Sequence, residues 1–210
     1  MRILPILFNT EMVKAILEGR KTVTRRCVKL PKWIEKQNDG TYTMFAEGTC
    51  YEKQRFVDIA PYLNKPYRPG DILYVRETWS EWTGGYLYKA WHGPFPQPGQ
   101  YSATKWHPSL HMPKEAARIF LKVKDVRVER LQEMSDDDCE KEGLENFCKK
   151  CHALFSDCDT CLNDGSIKED FKELWDSTIK KSELDRYGWD ANPWVWVIEF
   201  EQCDKPENNI

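Results

Sequence analysis

The longest strand signal in the chain runs from Arg118 to Arg130 and changes phase in its middle. Apolar residues alternate on one face up to Val123 and continue on the opposite face from Val126. The change at Lys124–Asp125 predicts a β-bulge or bend, which small barrels need where their strands turn corners. Other strand signals are separated mostly by turns, so a doubly wound parallel sheet is not expected. The pattern predicts an α+β fold: a small mixed β-barrel flanked by helices.

The remaining segments divide the 210 residues into one domain with additions. We expect a single domain over residues 1–203 and a flexible polar tail over 204–210. The segment 29–66 is polar and broken by prolines and glycines, so it is interpreted as a loop or hairpin elaboration. A cysteine-rich insertion is expected at 144–165. Trp194–Phe200 carries apolar residues on both faces, which predicts a central strand covered on both sides.

Composition limits the classes of partner. A net charge of −3 provides no global field for nucleic acid, so such binding would need a local basic patch. The chain has no stretch of eighteen apolar residues and no signal-peptide pattern at its start, so we expect a cytoplasmic protein without membrane contact. No feature indicates an obligate protein partner. The nine tryptophans exceed what a core of this size needs and could include surfaces that stack on bases.

A basic run, Gly19–Arg26, follows an amphipathic helix that is expected to begin with Thr10 as its N-cap and to stop at Gly19. As a strand, the run places two sets of residues on opposite faces: Lys21, Val23 and Arg25, and Thr22, Thr24 and Arg26. Such a density of cations and hydroxyls suits a phosphate, a nucleobase or an oxyanion. The alternative is a solvated edge strand whose cations discourage aggregation.

Four cysteines form two CxxC pairs separated by six residues: Cys148, Cys151, Cys158 and Cys161. Each pair can supply two thiolates to one tetrahedral Zn²⁺, and a closed four-thiolate site is structural because no position remains for water or substrate. The segment is short and poor in core residues, so the metal would supply its folding energy. We predict one structural zinc per chain; two disulfides or four free thiols are the alternative.

Two further segments are candidates for ligand binding. Arg76, Glu77 and Trp79 follow a strong strand signal, and strand ends at a barrel mouth often line ligand sites. The loop from Trp106 to Pro113 is stiff and aromatic, and could close over a flat ligand. A surface ion pair with a core tryptophan, and a packed crossing loop, are the respective alternatives. Further candidate ligand-binding residues are Trp106, His111 and Arg118.

The chain resembles the ASCH family, a group related to PUA RNA-binding domains. Gly19, Lys21 and Arg26 match its GxKxxxxR signature, and an ordered set of further segments is similar to the longer ASCH proteins of bacteriophages and prophages. The resemblance covers nearly the whole chain except about residues 30–65 and the tail. The additional segments are 68–79, 108–113, 126–132, 142–143, 174–177, 187–189 and 192–197.

This resemblance implies a PUA-like barrel with a cleft for RNA or a modified nucleoside. The family includes small bacterial amidohydrolases that remove the acetyl group from N4-acetylcytidine with a Lys, a Thr three residues later and a Glu in the helix after the long strand. The matching positions are Lys21, Thr24 and Glu142. The present chain is much longer than those enzymes, so its substrate is less defined than its fold.

The residues allow this chemistry under two conditions. Lys21 can accept the proton of a threonine nucleophile only if burial or nearby cations lower its pKa. Lys21 and Thr24 face opposite ways on an ideal strand, so a turn or bulge must bring them together. Glu142 could position water or protonate the leaving amine.

Three functions therefore remain open. The first is binding of RNA or a modified nucleoside in a basic, Trp-lined cleft without catalysis. The second is deacylation of N4-acetylcytidine-type nucleosides. The third is a phage accessory module that binds another protein. In the first, Trp79 or Trp106 stacks on a base while cations engage phosphate or base edges: Lys21, Arg25, Arg26, Arg76 and Arg118.

Overall fold

The structure is a computed structural model that describes residues 1–46, 49–50, 53–82, 85–90, 105–145 and 166–206. Its strands are β1 (Ile3–Leu7), β2 (Val23–Cys27), β3 (Ile34–Lys36), β4 (Tyr42–Ala46), β5 (Thr49–Cys50), β6 (Ile72–Arg76), β7 (Trp79–Trp82), β8 (Gly85–Tyr88), β9 (Phe120–Arg130) and β10 (Trp194–Cys203). Its α-helices are α1 (Thr10–Leu17), α2 (Phe56–Ile59), α3 (Asp136–Lys141), α4 (Ile167–Thr178) and α5 (Leu184–Tyr187).

A five-stranded mixed sheet forms the centre of the molecule, which confirms the α+β class. The strand order is β1-β6-β9-β10-β2, with β1 parallel to β6 and the other neighbours antiparallel. Smaller sheets are formed by β3-β4-β5 and by the β7-β8 hairpin. The predicted elaboration at 29–66 thus contains a three-stranded sheet and the short helix α2.

The change of phase in the long strand is a β-bulge. Glu199 of β10 lies opposite Asp125 of β9, and the next residue, Phe200, lies opposite Val123, so Lys124 has no partner. One extra residue on β9 explains why its apolar side chains change faces there. The bulge expected at Lys124–Asp125 is confirmed.

The sheet is rolled, with an opening between its two edge strands. In a flat sheet, four strand spacings of about 4.8 Å would place β1 and β2 about 19 Å apart. Arg26 Nη2 of β2 instead donates to the carbonyl oxygen of Leu7 in β1 at 2.9 Å. No backbone pairing between β1 and β2 occurs in the part of the chain that the structure describes. A side chain therefore bridges the opening of the predicted barrel.

Strand β10 is covered on both faces, as its sequence predicts. Trp196 and Ile198 pack into the larger core, inside the rolled sheet. Val195 and Val197 pack on the outer side against Phe171 of α4. None of the described helices is long and apolar enough to span a bilayer.

Two local expectations are wrong. The N-cap of α1 is Asn9, whose side chain accepts from Met12 N at 2.8 Å, and Thr10 is already the first helical residue. Strand β2 begins at Val23, so Lys21 lies before the strand. The direction of the Lys21 side chain is therefore not set by strand alternation. This second difference determines the geometry of the site.

Candidate functional site

Lys21 is held between α1 and α3 by both its backbone and its side chain. Its backbone N–H donates to Ala15 O at 3.0 Å. The side chain is fully buried, and Nζ donates to Val23 O at 2.9 Å, to Glu142 O at 2.7 Å and to Glu142 Oε2 at 2.6 Å. An ammonium group has three donors, so these three acceptors satisfy it completely.

Glu142 is placed by the end of α3. The helix begins with a capping box between Ser135 and Asp138, and Glu142 is its C-cap residue. Gly143 follows with φ +97°, and a Cβ there would lie 2.8 Å from Ala15 Cβ and 3.1 Å from Lys21 Cβ. Only glycine has both the backbone freedom and the lack of side chain that this close approach requires. The turn thereby presses Glu142 against Lys21.

Arg25 is the second buried cation of the site. Its Nε and Nη2 donate to Glu129 Oε1 at 3.0 and 2.6 Å, and Nη1 lies 3.4 Å from Glu142 Oε1. Asp138 approaches Nη2 at 3.5 Å. Each carboxylate oxygen of Glu142 therefore faces a different cation. Glu129 and Asp138 are not among the site residues predicted from the sequence. Each is a charged residue in an element that also carries buried apolar residues, β9 and α3, and this was the available signal.

Burial and charge act in opposite directions on these cations. Burial lowers the pKa of Lys21, and the charge and hydrogen bond of Glu142 oppose this without cancelling it. Burial also disfavours the charged form of Arg25, but Glu142 and Glu129 outweigh it and raise the pKa of that guanidinium. Lys21 therefore loses its proton more readily than an exposed lysine, whereas Arg25 remains a cation.

A small cleft opens beside this network, and we call it the edge cleft. Helix α1 borders it on one side and α4 on the other, and Lys21 lies behind it rather than in its wall. Its lining residues are Met12, Thr24, Arg25, Arg26, Glu142, Phe171, Leu174, Trp175 and Thr178.

Backbone groups of β2 also face the edge cleft. Strand β2 pairs with β10 on one side, and no described strand pairs with its other side. Phe200 N donates to Thr22 O and Val28 N to Trp194 O, each at 2.9 Å. Because residues of an antiparallel strand alternate in the direction of their hydrogen bonds, the N–H and C=O of Arg25 point toward the open edge.

The structure brings Lys21, Thr24 and Glu142 together through the glutamate. Glu142 contacts Lys21 and lines the edge cleft together with Thr24. Thr24 is 1% exposed, and among the described residues Lys21 Nζ bonds to the carbonyl of Val23 rather than to the Thr24 hydroxyl. Lys21 lies two residues before β2, so strand alternation does not set its direction, but no hydrogen bond among the described residues joins it directly to Thr24.

Arg26 lines the edge cleft from the opposite face of β2. It is half-buried, its guanidinium lies 5.5 Å from the ring centre of Phe8, and it donates to Leu7 O. Arg25 and Arg26 thus present cations on the two faces of one strand, at the same cleft.

Glu77 and Arg118 form a pair of their own and do not line the edge cleft. Arg118 Nε and Nη2 donate to the two carboxylate oxygens of Glu77 at 2.9 and 3.0 Å, and Nη2 also donates to Ala90 O at 2.7 Å. Burial raises the pKa of Glu77, against the opposing effect of Arg118. In this geometry the two residues support the fold around β7 and β8.

The other predicted ligand-binding residues also lie outside the edge cleft. Arg76 Nη1 donates to Leu110 O at 3.2 Å, and Trp79 is buried between the rings of Tyr86 and His107. Trp106 and His111 are exposed. The tryptophan that borders the edge cleft is Trp175, from the apolar stripe of α4.

The predicted zinc ligands Cys148, Cys151, Cys158 and Cys161 lie outside the described residues. Elsewhere, within the described ranges, no group of three or more His, Cys, Asp or Glu side chains is arranged to hold a metal ion. The zinc site stays a prediction.

Comparisons with known proteins give structural neighbours only. No protein-family model matches the sequence, and the search of curated proteins finds no match. One solved structure, the hypothetical protein PH0355, aligns over 97% of this chain and 100% of its own, with 14% identity and a TM-score of 0.37. Another, an ASCH domain from Lactobacillus crispatus JV V101, aligns over 96% of this chain and 79% of its own, with 9% identity and a TM-score of 0.37.

Proposed function

We propose that the chain is an ASCH-type protein and that its edge cleft binds one nucleoside, either free and modified or within RNA. The observation that carries this proposal is the lining of the cleft: two arginines, one carboxylate and two threonine hydroxyls beside apolar side chains of α4. The net charge of −3 provides no global field for a long polyanion, which favours a single nucleoside over folded RNA.

The polar groups of the cleft match the mixed character of a base edge. Nucleobases carry both donors and acceptors on their edges. Glu142 can accept, Arg26 can donate and the hydroxyl of Thr24 can do either. The backbone of Arg25 adds one donor and one acceptor at the open edge of β2. Phe171 and Trp175 provide an apolar wall for the flat face of the ligand.

The state of Lys21 favours binding over catalysis. A general base needs a free lone pair, whereas all three donors of Lys21 are engaged by Val23 and Glu142. In this arrangement the lysine fixes the carboxylate of Glu142 in the wall of the cleft.

Deacylation of an N4-acylated cytidine is the second candidate. It is favoured by the shared cleft of Thr24 and Glu142 and by the lowered pKa of Lys21. Thr24 Oγ1 would attack the acyl carbon while Lys21, once deprotonated, accepts the hydroxyl proton. Glu142, hydrogen-bonded to Lys21, would pass that proton on to the leaving amine, and water would then hydrolyse the acyl–threonine ester.

Calorimetric titration with cytidine and N4-acetylcytidine tests the binding site. Thr24→Val keeps the shape of the side chain and removes its hydrogen bond, so we expect about tenfold weaker binding. Thr22→Val is the matched control, because Thr22 precedes β2 and does not line the cleft. Equal binding by the wild type and Thr24→Val would contradict the proposed site.

A turnover assay on N4-acetylcytidine separates the two candidates. Release of cytidine by the wild type but not by Thr24→Val would establish the amidohydrolase and its nucleophile. Binding without release would establish a nucleoside-binding protein. If neither nucleoside nor a short RNA binds, both candidates fail.

A further inference from the structure

A second cleft lies at the other end of β2. It is bordered by the small sheet of the 29–66 segment, by α5 and by the start of β10. We call it the aromatic cleft. Its lining residues are Val28, Leu30, Lys36, Tyr42, Phe56, Arg130, Arg186, Tyr187, Ala191, Pro193 and Trp194.

Aromatic rings form the base of this cleft. Phe56 stacks on Trp194 with the ring centres 4.3 Å apart and an angle of 11° between the planes. Tyr42 packs edge-on against Phe56 at 5.3 Å. Tyr42 and Phe56 come from the 29–66 segment, so this addition to the sheet completes the aromatic base. Such surfaces favour flat, polarisable ligands.

Cations surround the rings. Arg130 places its guanidinium carbon 4.3 Å from the ring centre of Trp194, and Arg186 lies 5.0 Å from that of Tyr187. Lys36 is exposed at the rim. Arg130 Nη1 donates to Asn192 O at 2.9 Å, which fixes the plane of its guanidinium and leaves other donors available.

The lining of this cleft contains no Asp or Glu. Within the described ranges, Lys36, Arg130 and Arg186 form no side-chain ion pair, in contrast to Arg25 and Arg118. Three cations that form no ion pair with the described residues, in a chain of net charge −3, make this cleft a local site for an anion.

We propose that the aromatic cleft binds a nucleotide, with the base stacked on the guanidinium of Arg130, which itself lies on the ring of Trp194, and the phosphate against Lys36 and Arg186. A flat ring joined to an anion is the ligand chemistry that fits both halves of the cleft. Base stacking on aromatic side chains and phosphate contacts by cations are the two components of single-strand recognition.

The two clefts are neighbours along β2. Arg26 lines the edge cleft, and Val28 lines the aromatic cleft on the same face of the extended chain. At about 3.3 Å per residue, Arg26 and Val28 are about 7 Å apart along the chain. If the edge cleft binds a nucleoside, as proposed above, adjacent nucleotides of one strand occupy both clefts, and single-stranded RNA is the ligand class.

Titrations with cytidine, cytidine monophosphate and a cytidine pentaribonucleotide test this inference. The double variant Lys36→Gln/Arg186→Gln removes two exposed cations of the aromatic cleft and leaves the edge cleft intact. We expect it to weaken pentanucleotide binding about tenfold and to reduce the salt slope by about 1.4, while cytidine binding stays unchanged. Lys122→Gln, an exposed lysine on β9 outside both clefts, is the matched control.

The outcomes separate the two proposals. Pentanucleotide binding that the double variant leaves unchanged, or that Lys122→Gln weakens equally, overturns the aromatic cleft even if cytidine binds at the edge cleft. Pentanucleotide binding that depends on Lys36 and Arg186 without any cytidine binding supports the aromatic cleft and rejects the edge cleft. Equal, variant-sensitive binding of the monophosphate and the pentanucleotide supports a free nucleotide as the ligand rather than a strand.

Discussion

Lys21, Arg25, Glu129 and Glu142 form a buried network in which two cations face two carboxylates. Burying charges is unfavourable unless each is paired and hydrogen-bonded, and here the pairing is close to complete. The network fixes Glu142 at the wall of the edge cleft. Removing a single partner leaves a buried charge without compensation, which typically destabilises a protein by about 3–5 kcal/mol.

The lowered pKa of Lys21 predicts a stability that rises with pH in the alkaline range. In the unfolded protein Lys21 keeps its proton up to pH about 10.4, whereas in the folded protein it releases the proton at a lower pH. Between these two pH values the unfolded state binds more protons, so unfolding becomes less favourable as pH increases. Each tenfold decrease in proton affinity corresponds to about 1.4 kcal/mol. Urea unfolding between pH 7 and 10.5 should show this increase relative to Lys21→Met.

A constant difference between the two proteins across that range would contradict the prediction. Should Lys21→Met fail to fold, carbon NMR of labelled lysines in the wild type measures the titration directly. A Lys21 signal that titrates at or above pH about 10.4 would likewise contradict the prediction.

At the scale of elements, the turn after α3 sets the position of the site. Gly143 combines a positive φ with close approach to α1, and Arg20 Nη1 donates to its carbonyl at 2.6 Å. Residues 15–21 and the turn after α3, more than a hundred positions apart, meet at this residue. Its geometry therefore couples the packing of α3 to the placement of Glu142.

Gly143→Ala is expected to destabilise the protein by more than backbone strain alone. The positive φ contributes about 1–3 kcal/mol, and the added Cβ must also displace Ala15 and Lys21. Gly40→Ala is the matched control, since Gly40 has φ +81° and no atom within 4 Å of the added Cβ. Chemical denaturation of both variants measures the difference. Equal losses of unfolding free energy would show that the close approach is unimportant.

Elements whose signal lies in a single segment were predictable from the sequence. The β-bulge at Lys124 is visible because the alternation of apolar residues changes phase there. The start of β2 at Val23 was not predictable, because Lys21 is kept out of the strand by its contacts with Glu142, more than a hundred positions away. Trp175 lies on the apolar face of α4, and that pattern alone does not show that one side of its ring borders a cleft.

For the whole molecule, the two clefts are assembled from distant parts of the chain. The aromatic cleft takes residues from 28–56, from Arg130 and from 186–194. Sequence motifs located Thr24, Arg26 and Glu142 of the edge cleft because they resemble a known pattern. Arg130 and Trp194 also lie in segments that resemble the family, but only the folded arrangement shows that they line one cleft with Tyr42 and Phe56.

The predicted zinc would act on the whole molecule, because it would stabilise an insertion into the domain. Metal analysis of reduced, freshly purified protein should return about one zinc per chain, and a chelator should lower the melting temperature by at least about 5 °C. Cys148→Ser/Cys158→Ser should abolish both effects. Cys27→Ser, at a free and half-buried thiol, should preserve them. Protein without metal would contradict the prediction.

Arg26 both bridges the opening between β1 and β2 and lines the edge cleft. If the edge cleft binds a ligand as proposed, one guanidinium has two competing tasks: closing the sheet and contacting that ligand. A ligand that draws the side chain away from Leu7 gains affinity while it loosens the opening, so tight binding and a long-lived folded state are in opposition at this position. Selection for tight binding therefore also affects how long the protein stays folded, and the reverse. A substitution elsewhere that joins β1 to β2 would free Arg26 to contact the ligand.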